Sequence, residues 1–552
     1  MDEDRSESPG LSRIMKEEFE DWIEMVKRLR GAESIWPADE RPVEIRQTHI
    51  SVIMLGRSRV LKLKKPVNFG FLDYSTLEKR CVACEREVDL NRRLCPETYL
   101  GVRTITEDEN GFGLSATGKA IEYAVLMKRL PDPSMLDQMV EQNTITESDI
   151  ARIAARLQEF HKSARRGPDV DKFGAIETIR YNWDENFEQT EPFIGRTITG
   201  SDFNKTREWV SSWLAGNEEL LNQRISGGHI VDGHGDLRCE SVSITNGICI
   251  FDCIEFNERF RCADVAAETA FLAMDLDAFG RPDLGYYFYE RYCEESRDED
   301  LFRLFSFYRC YRAFVRGKVL SFQLDEAEVT DEQHEAAEQK ARDYFEIAAR
   351  AAETRLPAPN IIAVSGLSGT GKTSVARSIA GELGSRVVSS DNIRTSLFGD
   401  HESPAGYGEG KYDEESNSLT YQKMIEKAIE ILRKDGSVVL DATFQREADR
   451  EKVRKMAESV GATLRLIECQ LSPAKVRERL EQRSRKQDGF SEATWETYKM
   501  QQAEKNEADT GPAAHLVLDT DGSLSATSRR AVDWLRRNSG SRSRVVNGFD
   551  DA

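Results

Sequence analysis

The sequence predicts two kinds of fold in one chain. The first is an α+β module with a small β-rich lobe and a helical lobe; the second is an α/β module built on a parallel sheet. Three observations predict this. The chain has 552 residues, too many for one core, because domains usually run ~50–250 residues. Up to residue 350, strand-like and helical segments come in blocks, whereas from "IIAVSG" onward short apolar strands alternate with helical segments. Such alternation indicates parallel strands joined by right-handed crossovers. The stretch "LPAPN" separates the two patterns with Pro357 and Pro359. The expected division is a disordered tail over 1–11, a first domain over 12–350, a linker over 351–360, a second domain over 361–537 and a flexible tail over 538–552.

The elements follow in order. "LSRIMKEEFEDWIEMVKRLR" places apolar residues at three- and four-residue steps, which predicts an amphipathic helix. "HISVIMLG" and "RVLKLKKPV" read as strands; in the second, Val60, Leu61 and Leu63 are set against Lys62 and Lys64 until Pro66 ends the run. A helix follows through Leu94, and "EYAVLMKRLP" reads as a buried strand. From Glu147 the chain turns mostly helical, strands return at "HIVDGHGDL", "SVSITNG" and "ICIFDCIEF", and helices resume through "LFRLFSFYRCYRAFVRGKVLSFQ". Leu324 to Arg355 is charged, alanine-rich and helical in character. Beyond the linker, "IIAVSG", "SRVVSSD", "GSVVLDATF", "ATLRLIECQ" and "AHLVLDT" are the strands of the parallel sheet.

Composition narrows the function. Lys+Arg total 77 and Asp+Glu 97, a formal net charge of −20, which argues against unaided binding to nucleic acid or to an anionic membrane. No run approaches the roughly 20 apolar residues that span a bilayer, and "MDEDRSESPG" has no apolar leader, so the expected address is the cytoplasm. Nine of the ten cysteines precede residue 311. The one C-x-x-C, Cys81 to Cys84, lies in a predicted helix without a second pair at zinc-ribbon spacing, and reads as reduced thiols.

Gly366-Leu-Ser-Gly-Thr-Gly371-Lys372-Thr373 fits G-x-x-x-x-G-K-[ST] between a strand and a helix. Gly366, Gly369 and Gly371 let the backbone turn so that N–H groups, including those of Ser368, Thr370 and Ser374, line a triphosphate site at the helix's positive end. Lys372 is placed to bridge the β- and γ-phosphates of ATP, and the Thr373 hydroxyl to ligate Mg²⁺. "VVSSDNIRTSLFG" sets Asp391 and Arg394 just after a second strand, at the edge where ligands sit in such sheets. Asp391 is the candidate to accept a substrate hydroxyl's proton, and Arg394 to hold an anionic group. Asp441 ends another strand and suits orienting Mg²⁺; which of the two aspartates serves as base stays open. In "VRERLEQRSRKQDGFS", Arg479 and Arg483 are four apart on one helical face and are candidates to close over the triphosphate. With the P-loop, "SD-x-x-R" and "VVLDATF-x-x-x-x-x-R" ending at Arg450, residues 361–520 resemble the small P-loop kinases of the gluconate-kinase and zeta-toxin type.

The first module carries a second phosphate motif. "HGDLRCESVSI" presents Asp236, and "CIFDCIEFN" presents Asp252 at a strand end sixteen residues on. One carboxylate to take a hydroxyl proton and another to bind Mg²⁺ is what phosphoryl transfer needs in a kinase-like fold. "VLKLKKPV" offers a strand lysine, Lys62 with Lys64 as runner-up, and "CEREVDLNRRL" a helical glutamate, Glu87 over Glu85. In this order the set resembles the aminoglycoside phosphotransferase family, which has a protein-kinase-like fold. The closer resemblance is to a two-domain family that joins such a module to a P-loop kinase. It departs in one place: where the related kinases have an asparagine metal ligand, this chain has Ser241, a poorer ligand for Mg²⁺. A slow or purely nucleotide-binding first module is the expectation that follows.

The leading reading is a bifunctional phosphotransferase using ATP and Mg²⁺, with a small-molecule hydroxyl as acceptor in each module. Two other readings compete: a first module that senses ligand and regulates the P-loop kinase, and a P-loop switch ATPase. Neither the acceptors nor the oligomeric state follow from the sequence.

Overall fold

The computed structural model describes residues 13–70, 72–109, 111–114, 119–325, 331–353, 356–357, 359–399, 412–486, 494–504 and 514–539. The tail expected over 1–11 and residues 540–552 of the tail expected over 538–552 lie outside them. The chain forms two compact units, one of residues up to Met139 with Asp232–Ala263, the other of Val140–Val231 with everything from Asp264 onward. In this grouping the helical segments within Val140–Val231 and after Asp264 fall in the same unit as the P-loop.

In the first unit, strands β1 (Glu44–Gln47), β2 (Ser51–Leu55), β3 (Arg59–Lys64), β4 (Tyr99–Asp108), β5 (Gly111–Leu114) and β6 (Ala120–Lys128) form a six-stranded sheet in the order β1-β2-β3-β6-β4-β5. All its pairings are antiparallel. The alternation of β3 decides what each face carries. Leu61 and Leu63 join a core with Val52, Met54, Trp36 and, from helix α1 (Arg13–Gly31), Trp22, Val26 and Leu29. Val60 points the other way, onto Cys84 and Val88 of helix α2 (Leu77–Arg92), and Lys62 and Lys64 share that face. Thr76 caps α2, its side chain accepting the Lys79 N–H. A short hairpin, β7 (Val242–Ile244) and β8 (Ile248–Ile250), precedes Asp252. Cys249 in this hairpin forms a disulfide with Cys95, beyond the end of α2; Cys81 and Cys84 are free thiols.

The second unit opens with helices. Those used below are α3 (Glu147–Ser163), α4 (Val265–Ala278), α5 (Pro282–Ser296), α6 (Leu301–Phe322) and α7 (Asp331–Ala351). Trp183, Phe187, Phe307 and Phe314 pack as an aromatic core at centroid separations of 5.1–6.1 Å. The buried Arg224 guanidinium is paired with Asp264 on one side and Asp298 on the other.

Strands β9 (Asn360–Ser365), β10 (Arg386–Ser389), β11 (Ser437–Asp441), β12 (Thr463–Gln470) and β13 (Ala514–Asp519) form a sheet in the order β10-β11-β9-β12-β13, parallel throughout. The apolar runs of the inner strands β9 and β11 are buried on both faces, as a parallel sheet covered by helices requires. Helix α8 (Lys372–Leu383) follows the P-loop, and α9 (Ser390–Phe398), α10 (Glu414–Asp435), α11 (Glu447–Ser459), α12 (Pro473–Lys486), α13 (Trp495–Glu504) and α14 (Leu524–Arg537) complete the domain. Helix α5 packs along α8. Its Tyr286 side chain lies against Gly381, and the Tyr286 hydroxyl accepts the Val387 N–H of β10 at 2.8 Å. Arg350 of α7 pairs with Glu382 of α8.

Glu290 lies on the same helix, α5. Burial pushes its carboxyl up to about 7 against the opposing pull of Arg377. Between the ordinary value of 4.5 and about 7, the folded chain holds a proton that the unfolded chain has released. Stability from this group therefore falls as pH rises through that window. Glu290→Gln is expected to match wild type in thermal unfolding at pH 5 and to exceed it by a few degrees at pH 8, roughly what ~1 kcal/mol produces in a domain of this size.

Candidate functional sites

The P-loop site is assembled by strand register. Val364 of β9 pairs with Asp441 of β11, and Asp441 in turn with Ser389 of β10. The carboxyl ends of three adjacent strands thus bring the P-loop, Asp441 and Asp391 to one edge. Gly371 caps α8 with φ +85°, and a Cβ there would come within 3.2 Å of an Arg479 guanidinium nitrogen. The Thr373 hydroxyl donates to Asp441 Oδ2 at 2.9 Å. The other oxygen, Oδ1, is buried without a hydrogen-bond partner among the described residues. Burial raises the Asp441 carboxyl above its usual range, with the Lys372 ammonium opposing and Asp391 adding to the rise.

A cavity of about 520 Å³ runs along this edge. Ser368, Gly369, Gly371, Lys372, Thr373, Ser374, Asp391, Arg479 and Arg483 all line it. Arg479 also donates to the Thr520 carbonyl at 2.7 Å, which holds it over the loop. Arg477 lies on the outer surface, paired with Glu481. Gly366 and Thr370 line a second cavity of about 230 Å³, together with Arg450, Glu468 and Gln470. Arg394 lines neither cavity: it is buried, donates to Asn417 at 2.8 Å and lies over the Tyr412 ring. Gln501 was not foreseen. Its side-chain oxygen accepts the Ser368 N–H at 2.8 Å, tying α13 to the loop.

In the first unit, Lys62 Nζ lies 2.9 Å from Glu87 and 2.5 Å from Asp252. Glu87 is buried between two lysines, for Lys64 also pairs with it, while Glu85 is exposed. Lys64 has a second partner in Glu255, which also accepts the Tyr74 hydroxyl at 2.5 Å. Partial desolvation opposes charge on the half-exposed Asp252, but the Lys62 ammonium more than offsets it and holds the carboxyl well below the usual range. The same balance, burial against Asp252 and Glu87, holds Lys62 above its ordinary value.

The Asp236 loop is locked from several sides. His234 is fully buried; its Nε2–H donates to the Phe251 carbonyl at 2.9 Å, leaving Nδ1 to accept the Asp236 N–H at 3.3 Å. Arg93, at the end of α2, donates to the carbonyls of Asp232 and Gly233. Arg238, two residues after Asp236, clamps its carboxylate through Nε at 3.2 and 3.1 Å to the two oxygens. The Ser241 hydroxyl, expected at the metal, is turned to the loop's own backbone: it accepts the Arg238 N–H at 3.0 Å and lies 2.8 Å from the Arg238 carbonyl.

A P-loop on a five-stranded parallel sheet, and a strand lysine held by a helix glutamate beside a strand-end aspartate, define a protein with two kinase-type folds. Residues 361–505 match the family model described as an AAA domain. Over 480 residues the chain is 31% identical to an uncharacterised protein of Mycobacterium tuberculosis (strain H37Rv), a match covering 86% of this chain and 92% of that one. A protein of Mycobacterium bovis matches to the same extent. The chain belongs to the family of these proteins, and its residues 361–505 carry the AAA-type P-loop domain. Among solved structures it is similar to a choline/ethanolamine kinase family protein from Mesorhizobium loti, at 12% identity and TM-score 0.36, over 59% of this chain and 99% of that one. It is also similar to a gluconokinase from Sinorhizobium meliloti, at 22% identity and TM-score 0.25, over 34% of this chain and 95% of that one.

Gly235 tests how tightly the first site is built. Its φ is +87°, and a Cβ would lie 2.8 Å from the Phe260 carbonyl oxygen. Gly235→Ala is expected to cost about 2 kcal/mol or more, read by denaturant unfolding, because a backbone atom and not a flexible side chain must move.

Proposed function

We propose that the protein is an ATP-dependent phosphotransferase in which each module moves the γ-phosphate of ATP to a hydroxyl of a small molecule. The observation that carries this reading is the Asp441–Thr373 pair: a buried carboxylate oxygen without a hydrogen-bond partner among the described residues, beside a hydroxyl and the P-loop lysine. That donor set, all oxygen with one charge, fits Mg²⁺. Bound there, the ion would neutralise charge on the phosphate oxygens.

In this reading the P-loop amides and Lys372 grip the triphosphate, and Arg479 and Arg483 cover it from α12. Asp391 accepts the proton of the attacking hydroxyl at the other end of the cavity. Catalysis is positioning plus charge neutralisation. In the first module Lys62, aligned by Glu87, takes the α- and β-phosphates, Asp252 suits the metal and Asp236 the hydroxyl proton.

One arrangement favours a second reading for the first module, a nucleotide sensor that regulates the P-loop kinase. The Ser241 hydroxyl is spent on the backbone, and Arg238 occupies the Asp236 carboxylate.

Both readings are tested by incubating wild type, Lys372→Ala and Asp236→Asn with MgATP and a metabolite extract, and following phosphorylated products by mass spectrometry. Lys372→Ala is expected to lower its product at least about a hundredfold, the scale of losing a preorganised charge on the transferring group. A product lost with Asp236→Asn makes the first module a kinase; an unchanged product set makes it a sensor. Asp441→Asn is expected to weaken nucleotide binding in the presence of Mg²⁺ and to change it little in EDTA, measured by calorimetry. Equal weakening in both would remove the metal from the assignment.

A further inference from the structure

Asp252 takes an unusual backbone conformation. Its φ is +65°, in the left-handed region that residues other than glycine rarely adopt. A residue keeps such a conformation where its surroundings over-determine it. Here four consecutive residues are held. The Phe251 carbonyl accepts the His234 Nε2–H at 2.9 Å. The Asp252 N–H donates to the Tyr99 hydroxyl oxygen at 3.2 Å. The Cys253 N–H donates to Asn91 Oδ1 at 2.9 Å, and the Ile254 N–H to the His234 carbonyl at 3.1 Å. All these residues belong to the first compact unit.

Two of the four holds come from the segment that runs from the end of α2 into β4. Asn91 lies one turn after Glu87 on α2, and its Nδ2 donates to the Glu87 carbonyl at 2.8 Å. One side-chain amide thus joins the residue after Asp252 to the glutamate that lies between the two lysines. Tyr99 opens β4, and its ring packs with Val60, Val88, Val125 and Met127 on the face of the sheet that carries Lys62. Between them in sequence, Cys95 is bonded to Cys249, three residues before Asp252. Asn91 and Tyr99 are both buried.

Backbone and side chain of Asp252 therefore have separate tasks. The side chain is half exposed, and its carboxylate meets Lys62 at 2.5 Å. The amides of Asp252 and Cys253 are turned inward, to Tyr99 and Asn91. These two residues hold the chain from behind and leave the carboxylate facing solvent, where an oxygen ligand can meet a hard cation. If the two hydrogen bonds served only to satisfy buried amides, losing one would lower stability and leave any metal dependence alone. If they aim the carboxylate, losing one would weaken the metal, as loss of an orienting partner does by about 10–100-fold.

We propose that Asn91 and Tyr99 are positioning residues for Asp252: they set its left-handed backbone against Glu87 and Lys62, so that the carboxylate is presented to the magnesium ion of a bound nucleotide. The inference rests on the reading of the first module as a magnesium–nucleotide site. It is the same whether that module transfers phosphate or senses nucleotide.

The test uses the full chain carrying Lys372→Ala, which disables the P-loop. ATP binding is measured by calorimetry at rising free Mg²⁺, and the signal assigned to the first module is the part that Asp252→Asn removes. Tyr99→Phe keeps the ring in its core and removes only the hydroxyl. It is expected to raise the Mg²⁺ concentration at half-saturation about tenfold. Asn91→Ala is expected to shift it in the same direction. Val60→Ala trims a buried side chain of the same core without touching either amide. It is expected to lower the denaturant midpoint at least as far as Tyr99→Phe does, with no change in the Mg²⁺ requirement. A requirement unmoved in Tyr99→Phe, or raised as far by Val60→Ala, overturns the proposal. ATP binding in the Lys372→Ala parent with no part removed by Asp252→Asn sinks the reading of the first module, and the proposal with it. A part so removed confines any failure to the two positioning residues.

Discussion

Helix α8 organises the second unit because two of its side chains, one turn apart, point the same way and bind different parts of the chain. Thr373 reaches Asp441 at the end of β11, and Arg377 reaches Glu147 at the start of α3. The first contact is between the P-loop and its own sheet. The second brings in a helix more than two hundred residues earlier in the sequence. The phosphate-binding turn is thereby fixed against two supports at once, and the cavity in front of it has walls from both.

The first unit solves a similar problem with charge. Two lysines on one face of β3 would repel each other if left alone. Glu87 lies between them, Glu255 takes the far side of Lys64 and Asp252 the far side of Lys62. The alternating signs keep buried charges paired, which is the condition for holding them out of water. They also leave Asp252 half exposed, with its side chain at 50% of full accessibility while Glu87 is at 0%. The charge that faces solvent is therefore a carboxylate already ionised by its neighbour.

Much of this was legible in the chain. The parallel sheet followed from short apolar runs between helical segments, and the P-loop from its spacing. The alternation in "RVLKLKKPV" was enough to put Lys62 and Lys64 on one face. What could not be read were pairings made by distant segments. The choice of Lys64's second partner depends on Glu255 and Tyr74, which no periodicity connects to it. Cys95 and Cys249, 154 residues apart, carry no pattern that marks a disulfide. Asn143 and Arg281 look like ordinary residues between helices, and only the packing of α3 and α5 brings them to the P-loop cavity.

The contact of Tyr286 with α8 and β10 bears on how the polypeptide can be divided. Tyr286 is buried, lies against Gly381 and closes the hydrogen bond of an otherwise terminal strand N–H. A fragment beginning at the prolines would keep the whole P-loop and yet bare the flank of α8, leave the Val387 amide to water and deprive Arg377 of its carboxylate. Such a fragment would be sticky before it was inactive, and its silence in an assay would report solubility and not chemistry.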